Sequence, residues 1–413
     1  MNGKKSEKRT FGQWFLDALD DPKRSRIAVP VIAILLSLLA VILFMLLLGK
    51  NPFTAIKSFL QGCGFLPKAT YANGKSMFTD FLSFLDALTP MLLAALGIIV
   101  AMKAGLFNIG VAGQMLAAGF LATAIVGYSG LSAVIAKPLV ILIGMAAGAL
   151  LGALVGYLKY RFNIHEVVST IMFNYIISYV TSFFINTYYA DMITRSSKVC
   201  SPAARLTITG VQAGDLKLSI PLGIVLAIIA VFVVRFLLDR TVLGYEMKTV
   251  GLNPKCARYC GIRVGRRMVT AMAISGLLAG LAGVTYYLGY YNTIIPKELA
   301  GMGYDCIAVS LLGNLSPVGS IFGAALVTIF QKGSVYMSST MSVPKEIASV
   351  VIGLMLLFSA CGSYIRYVAH QLREKRLYQK AQAAEKAAAA VRGGETGAAL
   401  EAAAQDKKEE GKQ

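Results

Sequence analysis

Long apolar stretches separated by basic loops constrain the fold of this chain more than any other feature. Residues 27–48 contain no charged side chain, and about 20 consecutive apolar residues form a helix long enough to cross a lipid bilayer. The sequence is 56% hydrophobic, whereas a soluble globular protein averages about 45–50% apolar residues. The pattern therefore predicts an all-α, polytopic integral membrane protein.

Ten stretches of this kind divide the chain, and each is predicted to be a transmembrane helix. They cover residues 27–48, 82–102, 106–127, 134–158, 166–187, 219–238, 268–289, 302–313, 317–335 and 347–365. The eighth and ninth are short and meet at a Gly/Pro-containing break at 313–319, which predicts half-helices. A turn-rich segment at 103–113 predicts a second broken helix. We expect three regions: a cytoplasmic N-terminal segment (1–26), a transmembrane permease domain (27–365) and a low-complexity cytoplasmic tail (366–413).

The distribution of charge predicts topology rather than nucleic-acid binding. The chain has 40 Lys and Arg residues against 21 Asp and Glu residues, a net charge of +19. These basic residues bracket the apolar stretches instead of forming one basic face with interleaved aromatics, so no nucleic-acid partner is expected. Basic loops favour the cytoplasmic side of a membrane. Ten crossings then place both termini in the cytoplasm and make residues 49–81 and 188–218 the long outer segments.

Small residues recur on one face of two predicted helices. Glycines are spaced four residues apart in the fourth and seventh stretches, at Gly144, Gly148, Gly152, Gly156, Gly276 and Gly280. Such stripes let helix backbones approach closely within lipid. They predict a tight bundle of many helices and carry no chemistry.

Polar side chains are rare inside the predicted spans, and five of them are candidates for a transport path. They are Asn108, Gln114, Asn174, Asp305 and Asn314. Backbone groups at a helix break must line water or be buried by protein, and most of these residues lie at or beside a predicted break. The alternative is that they only cap half-helices. Asp86 and Glu166 lie near predicted span ends, which favours interfacial or structural roles.

The basic loop at 239–267, between the sixth and seventh stretches, is the segment with the clearest local signals. Asn253 suits a helix N-cap, Pro254 suits the first helical position, and Gly261 can end the helix in a left-handed conformation. These signals predict a helix of about two turns on the cytoplasmic side, where a soluble partner could bind. A plain basic connector is the alternative.

No arrangement of residues indicates an enzyme, a bound cofactor or a metal site. The six cysteines are scattered, and the two histidines lie far apart in sequence. Residues 74–76 resemble the end of a phosphate-binding loop but lack the glycine that such a loop needs five residues earlier. Any ATP must therefore be hydrolysed by another chain. Cys63 and Cys200 fall in the outer segments, and whether they pair is left open.

Five segments, in order along the chain, resemble one family. They are GLFNIGVAGQM (105–115), HEVVSTIMFNYI (165–176), TVLGYEMKTVGLNPKCARYCGI (241–262), ISGLLAGLAG (274–283) and GYDCIAVSLLGNLSPVGSIFGAAL (303–326). The chain resembles the membrane permeases of bacterial ABC importers in the ribose, branched-chain amino-acid and nucleoside group. The second and third segments, together with the long first outer segment, make it most similar to the larger permease of nucleoside importers.

This resemblance implies a fold and a set of partners. The fold has about ten helices, is similar to the cobalamin importer, and encloses one path between two permease subunits. A paralogue is expected as the second subunit, and a second copy of this chain is the alternative. The implied partners are a cytoplasmic ABC ATPase and an extracellular substrate-binding lipoprotein, at a bacterial cell membrane. The family's coupling helix implies ATPase contact at Gly244, Tyr245, Glu246, Gly251, Asn253, Pro254, Arg258 and Gly261. Cys256 and Cys260 stand where alanine is more usual.

The expected function is that of a permease subunit in an ATP-driven importer of nucleosides, coupled to its ATPase through the 239–267 loop. A simple sugar is the alternative substrate. From another class, the alternative is an ion-coupled secondary transporter. A coupled carrier would need a membrane-embedded acid–base relay, and the sparse charges in the spans disfavour it.

Overall fold

The computed structural model describes residues 22–191, 193–213, 215–344 and 346–361, with isolated positions between 364 and 382. The chain divides into two compact units: residues 33–360 form one, and residues 1–32 with 361–413 form the other. The predicted N-terminal segment (1–26) and tail (366–413) lie mostly outside the described residues.

Helices make up most of the described chain. The α-helices are α1 (Pro22–Leu47), α2 (Pro52–Gly62), α3 (Met77–Lys103), α4 (Val111–Ala122), α5 (Ala133–Phe162), α6 (Glu166–Phe184), α7 (Gly223–Arg240), α8 (Val242–Leu252), α9 (Pro254–Tyr259), α10 (Val264–Thr285), α11 (Met302–Leu312), α12 (Gly319–Met341) and α13 (Ile347–Ala360). Five-residue π-helical segments extend α4 (Thr123–Gly127), α6 (Ile185–Tyr189) and α10 (Tyr286–Tyr290). Strands β1 (Thr207–Ala213) and β2 (Leu216–Pro221) pair as an antiparallel hairpin.

Several helices have the length and composition of membrane spans. Four qualify outright: Met77–Lys103, Ala133–Phe162, Glu166–Tyr189 and Val264–Tyr290. A fifth is reached if Ile34–Leu47 and Pro52–Gly62, which are bent by 117° at a short break, count as one span. Shorter apolar helices at Val111–Gly127 and Met302–Leu312 lie where the sequence predicts broken spans. The predicted helical, multi-pass membrane architecture is confirmed at this level.

The predicted third span begins later than expected. Gly105 has a left-handed backbone (φ 73°) just after α3 ends, and residues 106–110 are not helical. Helix α4 starts only at Val111. Glycine adopts this conformation without steric penalty, so the chain turns sharply here instead of entering a helix.

Two other segments have structure that differs from the prediction. The first outer segment contains α2, which starts where Asn51 Oδ1 accepts a hydrogen bond from the Phe53 amide at 2.9 Å, with Pro52 in the first turn. These are ordinary helix-start signals. The hairpin of β1 and β2 occupies the start of the predicted sixth span, so α7 begins at Gly223 rather than at residue 219.

The predicted glycine stripe of α5 packs directly on α10. A Cβ atom placed on Gly148 would lie 2.1 Å from the Gly276 carbonyl oxygen, and one placed on Gly276 would lie 2.1 Å from the Gly148 carbonyl oxygen. Gly280 faces the Gly144 carbonyl oxygen at the same distance. No side chain fits in this space, so the two backbones touch because the glycines lack one. The predicted packing role is confirmed.

Helix α10 also packs closely on α3 and α4. A Cβ on Gly97 of α3 would lie 2.8 Å from the Ser275 carbonyl oxygen, and one on Gly283 of α10 would lie 2.2 Å from the Met115 carbonyl oxygen of α4. Three helices therefore approach α10 at backbone distance, which makes it the centre of the unit formed by residues 33–360.

Helix α6 carries its polar residues inward and its apolar residues outward. The buried side is polar and consists of Ser169, Thr170, Asn174, Ser178, Thr181 and Ser182. The exposed side is apolar or aromatic and includes Val168, Met172, Tyr175, Tyr179 and Phe183. Small polar residues hydrogen-bond between helices in lipid, where no water is available to satisfy them. The arrangement therefore matches a helix that is surrounded by apolar material on one side.

One irregular segment joins the C-terminal ends of three helices. We call residues 196–206 the strap. The Lys198 amide donates to the Tyr189 carbonyl at 2.9 Å, the Ser201 amide to the Gly127 carbonyl at 2.7 Å, and the Leu206 amide to the Leu288 carbonyl at 2.9 Å. Each acceptor belongs to a different π-helical segment. Helix ends leave carbonyl groups without an intrahelical partner, and the strap supplies donors to all three.

We predict that Gly148→Ala strongly destabilises the protein, because its new Cβ atom would overlap the Gly276 carbonyl oxygen. Overpacking of a tight core typically costs about 1–3 kcal/mol. The matched control is Gly353→Ala in α13, where a Cβ would meet nothing within 4 Å. Thermal unfolding of the detergent-solubilised variants measures the effect. Equal melting temperatures for the two variants would contradict the tight α5–α10 contact.

Candidate functional site

The break before α4 is held together by side-chain amides. Asn108 is fully buried; its Nδ2 donates to Gln114 Oε1 at 3.0 Å and to Ser275 Oγ of α10 at 2.9 Å. Its Oδ1 accepts a hydrogen bond from the Gly110 amide at 3.0 Å. Gln114 lies about one turn into α4, not in the break where the sequence places it. The break is thus tied to the middle of α10.

Asn174 of α6 caps α4 from a neighbouring helix. Its Oδ1 accepts from the Gly113 amide at 2.9 Å, and its Nδ2 donates to the Ile109 carbonyl at 3.1 Å. The first amides of a helix have no partner within that helix, so Asn174 satisfies one that would otherwise be unpaired. Three of the five predicted path residues, Asn108, Gln114 and Asn174, therefore lie together and are used to complete hydrogen bonding at the break.

Two short helices meet at this cluster through their first turns. Gly303 of α11 approaches Ala112 of α4 so closely that a Cβ on Gly303 would lie 2.6 Å from the Ala112 Cα. The Tyr304 hydroxyl accepts a hydrogen bond from Asn174 Nδ2 at 3.4 Å. The N-terminal end of a helix carries partial positive charge and unpaired amides. Two such ends inside the bundle make this junction polar.

The other two predicted path residues lie at opposite ends of α11. Asp305 is partly buried near the junction and accepts a hydrogen bond from Gln331 Nε2 of α12. Asn314 lies beyond the far end of α11, in a turn where it and Leu315 both have left-handed backbones (φ 50° and 52°). A leucine in this conformation is strained, and such strain persists only where the surroundings enforce it. Asn314 is therefore separate from the amide cluster.

Lys332 is a cation inside the ninth predicted stretch and was missed as a candidate at the level of the sequence. Lys332 of α12 donates to Ser83 Oγ of α3. Nearby on α3, Asp86 accepts a hydrogen bond from Thr207 Oγ1 of β1 at 3.0 Å, which gives Asp86 the structural role that its position predicts. A charged residue inside an apolar stretch is costly and is a functional candidate by default. That signal was present in the sequence.

The basic loop contains the predicted helix, α9. Asn253 Oδ1 accepts hydrogen bonds from the Lys255 and Cys256 amides at 3.0 and 3.1 Å. Pro254 occupies the first position, and Gly261 has the expected left-handed backbone (φ 80°). The predicted start and stop are confirmed. The helix runs over six residues, Pro254–Tyr259, which agrees with the predicted length of about two turns.

A second helix in the loop, α8, was not predicted and connects α9 to the membrane part. A Cβ on Gly244 would lie 2.1 Å from the Leu237 carbonyl oxygen of α7. Near the other end of α8, a Cβ on Gly251 would lie 2.4 Å from the Lys103 carbonyl oxygen and 2.8 Å from the Gly105 nitrogen. Helix α8 therefore touches the end of α3 at the glycine that precedes the break.

The outer face of these two helices is exposed and partly apolar. Ala257 is fully buried and packs with Val250 and Val264, which fixes α9 to its neighbours. Leu252 is 88% exposed and Tyr259 is 94% exposed. Leu252 and Tyr259 make this side of the basic loop a candidate interaction surface.

The comparison with known families supplies the decisive observation. The family model described as branched-chain amino acid transport system / permease component matches residues 81–360. The chain belongs to this permease family. The match covers the helix break, α8 and α9, α10 and the junction of α4 with α11, and it accords with the family resemblance of the five segments.

Three relatives are similar to this permease over most of its length. The guanosine ABC transporter permease protein NupP of Bacillus subtilis is 34% identical over 354 residues, which are 85% of this chain and 98% of NupP. The nucleoside ABC transporter permease protein NupB of Lactococcus lactis is 33% identical over 347 residues, 82% of this chain and 92% of NupB. The guanosine ABC transporter permease protein NupQ of Bacillus subtilis is 28% identical over 269 residues, 63% and 83% respectively.

The remaining predicted ATPase-contact residues of this permease fall into two groups: some are exposed at the surface, and the others contact neighbouring helices of the same chain. Tyr245 is 67% exposed, and Arg258 is also exposed. Glu246 instead forms an ion pair with Arg267 of α10, and a glycine is required at 244 by the close approach of α7. Exposed residues can touch a partner directly, whereas the others hold α8 in position.

The cysteines of this permease are free thiols where the structure describes them. Cys63 and Cys200 are both buried and unpaired with each other. Burial raises the pKa of the Cys200 thiol, so it stays protonated within the strap. The pairing that the sequence left open is therefore absent. Cys256 and Cys260 are exposed on and beside α9.

We predict that Asn174→Ala destabilises the permease, because it leaves the Gly113 amide and the Ile109 carbonyl without their partner. Leaving a buried polar group unsatisfied costs about 1–3 kcal/mol. The matched control is Asn186→Ala, an exposed asparagine in the π-helical segment that follows α6. Melting temperatures in detergent decide the matter. If both variants melt like the parent protein, Asn174 does not cap α4.

Proposed function

We propose that this permease is the transmembrane subunit of an ATP-driven importer that takes up nucleosides. The observation that carries the proposal is the direct packing of Gly251 in α8 on Lys103 and Gly105. Through this contact the exposed cytoplasmic loop touches the helix break that precedes α4. A partner bound to the loop therefore acts on the polar junction inside the bundle without contacting the transported molecule.

Coupling follows a continuous path of contacts. A cytoplasmic ATPase binds Leu252, Tyr259 and the exposed residues Tyr245 and Arg258. Displacement of α9 passes to α8 through the packing of Ala257 on Val250, and α8 transmits it to the break. A partner shifts a conformational equilibrium only through contacts that differ between two states. The glycine contacts pass the displacement on, because they admit no side chain and leave α8 and the end of α3 little independent movement.

The transport path, on this proposal, runs beside the junction of α4 and α11. Asp305 and the exposed hydroxyl-bearing ring of Tyr304 face the path. Asn108, Gln114 and Asn174 form its supporting wall. A nucleoside offers ribose hydroxyls, which hydrogen-bond to carboxylate or amide groups, and a flat base, which stacks on aromatic rings. Asn314 would lie at the other end of the same path.

The surrounding assembly is inferred from the family and its relatives. Bacillus subtilis has two relatives of this chain that both carry the name guanosine permease, NupP and NupQ, which supports a paralogue as the second permease subunit. A substrate-binding lipoprotein delivers the solute from outside, and ATP is hydrolysed by the partner ATPase. We further propose ten crossings of a bacterial cell membrane, arranged as in the cobalamin importer, with 27–365 as the permease domain and both termini cytoplasmic.

We predict that the double variant Leu252→Ala/Tyr259→Ala loses ATPase binding while its melting temperature is unchanged. Both side chains are almost fully exposed, so they contribute contact area rather than packing within the chain. A few exposed anchors often carry most of an interface's binding energy, and we expect ATPase recovery in co-purification to fall at least tenfold. The control is Tyr188→Ala, which removes a ring that is 63% exposed on the far end of α6. Normal ATPase recovery with the double variant would exclude this surface as the docking site.

We predict that vesicles containing both permeases, the ATPase and the binding protein take up guanosine only when ATP is supplied. Collapse of proton and sodium gradients at constant ATP should leave the rate unchanged, because no acid–base relay is evident in the described spans. Labelled guanosine uptake is measured with unlabelled adenosine, cytidine, ribose or glucose as competitors. Competition by sugars but not by nucleosides would show that the substrate is a sugar and not a nucleoside. Gradient-driven uptake without ATP would overturn the importer itself.

A further inference from the structure

A tight turn before the strap is built to present one apolar side chain. Asp191 Oδ1 accepts a hydrogen bond from the Ile193 amide at 3.1 Å, and Asp191 Oδ2 accepts one from the Thr194 hydroxyl at 3.0 Å. The Asp191 amide donates to the Ser196 carbonyl at 2.9 Å, which closes the turn. Ile193 lies at its tip and is 91% exposed. An anchor held rigid before binding loses little entropy when it binds.

The surface around this tip is apolar at its centre and basic at its edge. Val199 of the strap is 60% exposed, and Ile295, beside the segment that hydrogen-bonds to the strap, is 51% exposed. The exposed charged residues near them are Arg195, Lys198, Lys297 and Glu298. With Asp191 of the turn included, the surface carries three cations and two carboxylates, a small positive excess. Such a patch favours a partner that carries net negative charge.

Arg195 is held in an unusual conformation. Its backbone is left-handed (φ 52°), and its amide donates to the Asp191 carbonyl at 3.0 Å. A residue with a branched or long side chain adopts this region only where its surroundings enforce it, and such positions cluster at binding sites. The turn thus fixes the direction of an arginine as well as that of the isoleucine.

The patch is connected to the helix bundle by backbone hydrogen bonds. The Ser197 amide donates to the Ile294 carbonyl at 2.9 Å, and the Ile294 amide donates to Ser197 Oγ at 2.8 Å. From there the strap runs on to the π-helical ends of α4, α6 and α10. A force applied to the turn therefore reaches three helix ends through one segment. π-Helical turns are rare and are frequent at functional sites.

We propose that residues 191, 193–199 and 292–297 form the docking surface for an acidic, partly apolar face of the external substrate-binding protein. This rests on the proposed function, which requires such a protein on the side opposite the 239–267 loop. Lipid is the competing occupant. Side chains that settle at a lipid interface are typically Trp and Tyr, and residues 191–199 contain neither. Arg195, whose backbone is fixed beside the apolar tip, is instead of a residue type that is enriched among the anchors of protein interfaces.

The first test is photo-crosslinking in living cells with p-benzoylphenylalanine at position 193. Mass spectrometry should identify an extracellular solute-binding lipoprotein attached to the permease. Attachment to lipid only, or to no macromolecule, would overturn the proposal.

The second test measures the affinity of that purified lipoprotein for the intact transporter in nanodiscs. The variant Ile193→Ser/Arg195→Glu keeps Asp191 and the turn but removes the anchor and reverses a charge, and we expect binding to weaken at least tenfold. The matched control is Lys217→Glu, an exposed charge reversal on the hairpin, which should bind normally. ATPase co-purification verifies that each variant is assembled. Unchanged affinity of the double variant, or weakening by Lys217→Glu alone, would exclude this docking surface.

These outcomes are independent of the substrate. A crosslinked lipoprotein that carries a solute other than a nucleoside would overturn the proposed substrate and leave the docking surface intact. If the transporter takes up nucleosides and the double variant binds the lipoprotein with normal affinity, the docking surface is overturned and the proposed substrate stands.

Discussion

The backbone contact between α5 and α10 is the constraint on which the rest of this permease depends. Within lipid no hydrophobic force drives helices together, so close packing must supply the attraction. Gly148 and Gly276 each let the carbonyl oxygen of the other residue come so close that no side chain would fit between them. With α5 fixed on one side, α10 can also accept α3 and α4 at backbone distance, and its Ser275 hydroxyl can reach Asn108 at the break.

Unpaired backbone groups set the second requirement. A chain that stops being helical inside a bundle must find partners for its amides and carbonyls, because water is absent. Here Asn108 and Asn174 supply them from the break itself and from α6. The polar inner side of α6 serves this purpose, whereas its outer side is apolar and aromatic. The same amides that were predicted as path residues thus act first as structural partners, and their proposed position beside the path follows from the break that they complete.

The sequence predicted the features that depend on local chemistry. The cap of α9 by Asn253, its start at Pro254 and its stop at Gly261 could be read from three residues, and the glycine spacing of α5 and α10 predicted their contact. The features that depend on distant partners could not be read. Helix α8 has few local signals, and its position is set by the approach of Gly244 to α7 and of Gly251 to α3. The capping of α4 by Asn174 joins residues about sixty positions apart. Lys332 was missed although an isolated cation in an apolar stretch was visible.

Helix α10 links the two surfaces to which partners are assigned. Its N-terminal end follows α9 closely in the chain, and Arg267 in its first turn pairs with Glu246 of α8. Its other end continues into the π-helical segment whose Leu288 carbonyl accepts the strap. A rigid helix carries displacement along its length, but coupling requires an element with two arrangements that both ends bias. The connection from Gly105 to Gly110 is the non-helical element between these surfaces: α8 touches it at Gly105, and α10 holds it through the Asn108–Ser275 hydrogen bond. Gly283 also holds α4 against α10 at Met115, so the Asn108–Ser275 hydrogen bond fixes the break rather than the contact between the two helices.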